Sequence, residues 1–134
     1  SLVIDTGVLV EYLLETQLGK RFERKFLSDK DLSYFYISPL TYTELLYLFC
    51  RKVGYEAAQK MLKDKLKNLL VVNEFKLRGK AAKLKCEFGI ALADCYSIAA
   101  GVIQKCNVLM KKEHEIENTD MKEYRTIINF IDEK

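Results

Sequence analysis

The chain has 134 residues, 49% of them apolar and 31% charged, with a net charge of +3. That length suits a single domain over 1–134 whose core needs neither disulfides nor a structural metal. No apolar run approaches the ~18 residues of a membrane span, and no charged-then-apolar leader is present, so a cytoplasmic protein is expected.

In chain order, Leu2-Val3-Ile4 is a short apolar run closed by Asp5-Thr6-Gly7, the pattern of a buried strand and a tight turn. Helical spacing follows over Val8–Leu14 and again over Gly19–Leu27, until Ser28-Asp29-Lys30-Asp31 breaks it. Leu32–Ile37, rich in Tyr, Phe and Ile, reads as the second strand. Ser38-Pro39 is a helix start, with Ser38 as N-cap and proline at the first helical position. That helix runs to Val53, where Gly54 stops it. A helix over Tyr55–Lys67 would turn Ala57, Met61 and also Leu62 and Leu66 inward. Leu69–Val72 is a third strand, and Glu74–Phe88 is a basic helix. Ala91–Cys106 is apolar nearly all round and should be a buried helix. Val108–Met110 gives a fourth strand and Thr126–Phe130 a fifth. Strands alternating with helices imply an α/β fold, a mainly parallel five-stranded sheet with helices on both faces.

Cys50, Cys86, Cys95 and Cys106 form no CxxC or Cys/His zinc spacing and are expected as buried, reduced thiols. Charge is segregated. Nine basic residues between Lys60 and Lys85 face only Asp64 and Glu74, so that stretch carries +7 and the remainder −4. Such a stretch is either a nucleic-acid footprint or two solvated helix faces.

Four acids stand out against their surroundings. Asp5 ends the first strand, where it either caps the next helix or faces the ligand crevice of an open α/β sheet. Glu44 is the one charged residue between Asp31 and Arg51. It either closes a capping box with Thr41 or, if the helix begins at Ser38-Pro39, lies inside it among leucines. Asp94 is the one charge between Gly89 and Gln104, held there by the helix N-terminus, a partner or a metal, with the small Ser97 and Gly101 on its face. Glu113, three residues past the fourth strand, is by itself an ordinary loop charge, and His114 beside it an ordinary surface imidazole. Four converging carboxylates repel one another unless a hard cation lies between them, and all-oxygen donors suit Mg²⁺ or Mn²⁺.

These residues resemble the PIN-domain ribonucleases, most closely the VapC-type toxins, over essentially the whole chain. "VIDTGVLVEYL" resembles the first motif, with Asp5 as its metal-binding acid and Thr6 as the following hydroxyl. "ISPLTYTELL" resembles the second, with Glu44, and "LADCYSIAAGVIQKCNVLM" the third, with Asp94. The fourth departs from the family's T-x-D pattern: in "LMKKEHEI" Lys111 replaces the hydroxyl residue and Glu113 the acid. The resemblance implies a PIN-like three-layer sandwich and metal-assisted hydrolysis of RNA that leaves a 5′-phosphate and a 3′-hydroxyl. Asp5, Glu44, Asp94 and Glu113 would serve a Mg²⁺ or Mn²⁺ ion, with Thr6 positioning water or backbone. Lys111, Lys112 and the basic stretch would hold the RNA backbone. It also implies homodimers and a small antitoxin partner. Two rivals follow from the residues: phosphoryl transfer through Asp5, which lacks the usual second acid or Thr at position 7, and a PIN module that binds RNA or protein without cutting.

Overall fold

The computed structural model describes residues 1–31, 34–112, 116–117 and 119–132. Five parallel strands form one sheet in the order β3-β2-β1-β4-β5: β1 (Leu2–Ile4), β2 (Phe35–Ile37), β3 (Leu70–Val71), β4 (Asn107–Met110) and β5 (Ile128–Phe130). β1 is central. Its three residues are buried on both faces, which is why it reads as a continuous apolar run rather than an alternation.

The strand period of two sends Val3 to one core and Leu2 and Ile4 to the other. Val3, Val108 and Met110 pack under α5 (Glu74–Phe88) and α6 (Leu92–Gln104). On the opposite face, Leu2, Ile4, Ile37 and Leu109 meet α1 (Thr6–Leu13), α2 (Gln17–Phe22), α3 (Pro39–Val53) and α4 (Tyr55–Lys65). The result is the three-layer arrangement expected, with helices on both faces of an all-parallel sheet. No helix among the described residues is long and apolar enough to cross a membrane.

Local chemistry sets the boundaries. Ser38 Oγ accepts the Thr41 amide at 3.2 Å with Pro39 at the first position, and Gly54, at φ 90°, ends α3. α2 is capped by Thr16, whose Oγ1 accepts the Gly19 amide at 3.1 Å, and continues into a π-helical turn over Glu23–Leu27. Gly19 is required for another reason: a Cβ there would stand 2.1 Å from the carbonyl oxygen of Glu11, so α1 and α2 touch backbone to backbone.

Several expectations need correction. β2 begins at Phe35, and Leu32 and Ser33 lie outside the described residues. α4 ends at Lys65 and buries Ala58 and Leu62, with Leu66 following, whereas Ala57 is exposed and Met61 half-buried. β3 is two residues long and solvent-exposed, as an edge strand tends to be. β5 starts at Ile128 because Lys122–Arg125 form a short helix before it. The four cysteines are free thiols, but Cys86 is exposed, and only Cys95 is fully buried. Burial raises the Cys106 thiol above its ordinary range.

Candidate active site

The sheet grows from β1 toward β2 and β3 on one side and toward β4 and β5 on the other. Loops leaving β1 and β4 therefore diverge at their carboxyl ends and open a crevice there, where open α/β sheets bind ligands. Asp5 follows β1 directly and Lys111 follows β4 directly.

Asp5 is 2% exposed and occupies the N-cap position of α1, yet its side chain makes no capping hydrogen bond. The carboxylate instead receives a hydrogen bond from Ser97 Oγ, 2.5 Å from Oδ1. The capping role weighed from sequence is thus not the one Asp5 plays. Thr6 Oγ1 donates to Thr41 Oγ1 at 3.1 Å, and because the Thr41 amide is held by Ser38, the starts of α1 and α3 are tied together. Glu44 lies more than a turn inside α3 and is half-buried, so the start at Pro39 rules out a capping box at Thr41. Asp94 is 5% exposed in the first turn of α6, whose N-cap, Ala91, offers no side-chain oxygen. A carboxylate there interacts favourably with the helix N-terminus.

Asp5, Thr6, Glu44, Asp94 and Lys111 all line one cavity of about 300 Å³. Glu113 and His114 lie outside the described residues. A larger cavity of about 540 Å³, lined by Tyr12, Phe22, Lys65 and Lys67 among others, has no acid among its described lining residues. Chemistry rather than size singles out the smaller one.

Two features of the site escaped the sequence. Ser97 appeared as a small neighbour of Asp94, but its hydroxyl bridges to Asp5, a contact across 92 positions of chain. Lys111 is an ion-pair partner of Glu11, Nζ to Oε1 3.2 Å, so α1 and the end of β4 are joined at the cavity wall. Because a hydrogen bond to a charged acceptor contributes roughly 1.5–3 kcal/mol, Ser97→Ala should lower stability in urea unfolding by about 2 kcal/mol. A change below about 0.5 kcal/mol would show that the serine does not anchor Asp5.

The donor set is compatible with a hard divalent cation. The acids of the cavity offer only carboxylate oxygens, with neither Cys nor His among its described lining residues. Among the described residues no three His, Cys, Asp or Glu side chains gather at metal-ligand spacing. A magnesium-type site does not require that, since such an ion keeps several waters and is held by one or two carboxylates together with substrate phosphate.

The basic stretch is divided by the fold. α4 and α5 lie on opposite faces of the sheet and flank the exposed β3 edge. Part of it is engaged within the molecule. Arg78 pairs with Glu74, Lys80 lies 5.1 Å from the centre of the Tyr124 ring, and Lys85 donates to the Ile90 carbonyl at 2.7 Å. Arg78, and then the Tyr96 hydroxyl, hold the Glu74 carboxyl below its ordinary range. Lys112 lies 3.9 Å from Glu117.

The family model described as PIN domain matches residues 2–122. No curated protein matches the chain. Among solved structures it is similar to a chain of a toxin-antitoxin complex from Klebsiella pneumoniae, at 15% identity and TM-score 0.72 over 100% of both chains. It is also similar to a chain of DNA-bound VapBC from Salmonella typhimurium, at 14% identity and TM-score 0.75 over 98% of each. A third is Mycobacterium tuberculosis VapC20, described as a sarcin-ricin loop cleaving toxin, at 17% identity and TM-score 0.68 over 87% of this chain and 94% of that one. Identities this low establish a common fold, whereas the family match spans most of the sequence. With its parallel sheet, its order of motifs and that match together, the chain belongs to the PIN domain family.

Proposed function

We propose that this protein, acting as one domain over 1–134, is a divalent-metal-dependent endoribonuclease, the toxin of a toxin–antitoxin pair. The observation that carries this reading is the meeting of Asp5, Glu44 and Asp94 in one cavity at the carboxyl ends of β1 and β4. Asp5 and Asp94 are the direct ligands of Mg²⁺ or Mn²⁺. Glu44, together with Glu113 beyond the described residues, supplies further oxygen ligands or acceptors for water. Such a cation, when bound, lowers the pKa of water and neutralises charge on the phosphoryl oxygens. Ser97 holds the Asp5 carboxylate in one orientation, and Thr6 ties the α1 start to α3. Lys111 and the exposed lysines of α4 and α5 attract the RNA backbone, which makes binding salt-dependent. The toxin–antitoxin complexes among the similar folds, and the description of VapC20 as a sarcin-ricin loop cleaving toxin, support a toxin role and an antitoxin protein partner; a cytoplasmic location and a homodimer belong to the same proposal.

Wild-type protein should cleave a mixed single-stranded RNA pool in Mn²⁺ or Mg²⁺, and both EDTA and Asp5→Asn should abolish cleavage. Mn²⁺ should also raise the melting temperature, because a ligand at roughly a hundredfold excess over its dissociation constant stabilises by about 2.7 kcal/mol. Cleavage that survives Asp5→Asn would contradict the assignment.

A cation, Lys111, in the cavity wall where the resembling motif carries a hydroxyl residue favours one alternative, a PIN module that binds RNA or a protein without cutting. That module would show RNA binding but neither cleavage nor a Mn²⁺-dependent rise in melting temperature.

A further inference from the structure

The cavity presents a problem for its own substrate. A phosphodiester carries negative charge, and the described charged residues of the cavity wall are Asp5, Glu44, Asp94 and a single cation, Lys111. That cation is held by Glu11, Nζ to Oε1 3.2 Å. The two partners are unequally exposed: the Glu11 side chain is 16% accessible and that of Lys111 39%. Glu11 is set into α1, while the lysine has a flexible stem and is the more exposed of the two. When an anion enters, the lysine can turn away from Glu11 and the glutamate stays.

We propose that Lys111 is a latched phosphate-binding residue: Glu11 holds its ammonium at the cavity wall, and an entering RNA phosphodiester displaces Glu11 as its partner. This rests on the nuclease reading and adds to it a positioning residue that works before any cation is bound. A phosphodiester that reaches the site meets a hydrogen-bonding cation in the same cavity wall as the carboxylates, which otherwise repel it. Glu11 has a second effect. By competing for the ammonium, it keeps the site weak toward stray anions, so retention depends on an RNA chain that also contacts the outer lysines.

The test is binding of a short fluorescein-labelled single-stranded RNA in EDTA, followed by anisotropy across a salt series. Lys111→Ala should weaken binding roughly tenfold, the scale of one hydrogen bond to a charged group. It should also make the salt slope shallower by about 0.7, the value for one phosphate contact on a single strand. Lys111→Arg should restore both. Glu11→Gln should tighten binding by about threefold, as expected for removing one partly exposed competitor, and Glu11→Gln with Lys111→Ala should match Lys111→Ala alone. Lys111→Gln, which keeps most of the stem, replaces the alanine variant if truncation impairs folding.

Binding and slope unchanged in Lys111→Ala would overturn the proposal, and so would a Glu11→Gln variant that binds as weakly as Lys111→Ala. If either result comes with metal-dependent cleavage by wild type, the latch fails and the nuclease reading stands. Wild type that neither binds nor cleaves RNA removes both.

Discussion

Asp94→Asn should yield a protein that is nearly inactive and more heat-stable than wild type. The two effects have one cause. Asp94 is 5% exposed and lines the same cavity as Asp5 and Glu44. With no cation present, like-charged carboxylates around one cavity raise the free energy of the folded state. Asparagine has the same size and removes one charge, so the metal-free protein should gain about 1 kcal/mol, or about 3 °C in melting temperature for a chain of this length. The same change removes an oxygen anion from the proposed ion site. Cleavage in Mn²⁺ should then fall by roughly a hundredfold or more. The rise in melting temperature on adding Mn²⁺ should shrink with it. Calorimetry with and without Mn²⁺, beside a cleavage assay, measures all three. A variant that is less stable without metal and still active would place Asp94 outside the site, as a residue held only by its helix N-terminus.

The second large effect concerns packing. Gly19→Ala would bring a Cβ to 2.1 Å from the carbonyl oxygen of Glu11 and 2.7 Å from the Cα of Tyr12. Both are backbone atoms, so no side-chain rotation relieves the overlap, and α1 and α2 must move apart. Overpacking of this kind costs typically 1–3 kcal/mol, and a contact entirely with backbone belongs at the upper end, about 3 kcal/mol in urea unfolding. The same displacement would disturb the start of α1, at Thr6 beside Asp5. Metal-dependent cleavage should therefore fall by more than the loss of folded fraction alone explains. A loss of stability under about 1 kcal/mol would mean that the two helices slide apart freely.

Much of this architecture was legible because several signals coincide locally. Ser38-Pro39 at one end of α3 and Gly54 at the other are chemical stops, and both hold in the structure. β1 is short but apolar throughout, as a strand buried on both faces must be. The acids of the cavity were legible for a different reason: Glu44 and Asp94 stand alone among apolar neighbours, where a carboxylate is costly without a function. What remained hidden depends on tertiary partners. In α4 the apolar rows Ala57–Met61 and Ala58–Leu62–Leu66 are adjacent on the helix, and only contact with the rest of the core selects the second. The hydroxyl of Ser97 finds Asp5 because α6 lies against β1, and Glu11 finds Lys111 because β1 pairs with β4. No local pattern encodes either contact. Cys86 was expected inside since free cysteines usually are, yet it sits on the outer face of the basic helix α5.

The pairing of β1 with β4 also bears on when the protein becomes competent during its synthesis. Asp5 and Ser97 are 92 positions apart, and Glu11 and Lys111 are 100 apart. Loop closure over such separations comes late, after local helices have formed. A nascent chain that has emerged only through α5 carries Asp5 and Glu44 but neither α6 nor β4, so the pocket has one wall missing. Translation must pass β4 before the carboxylates can face one another, so a chain that stops short of it carries an unfinished site.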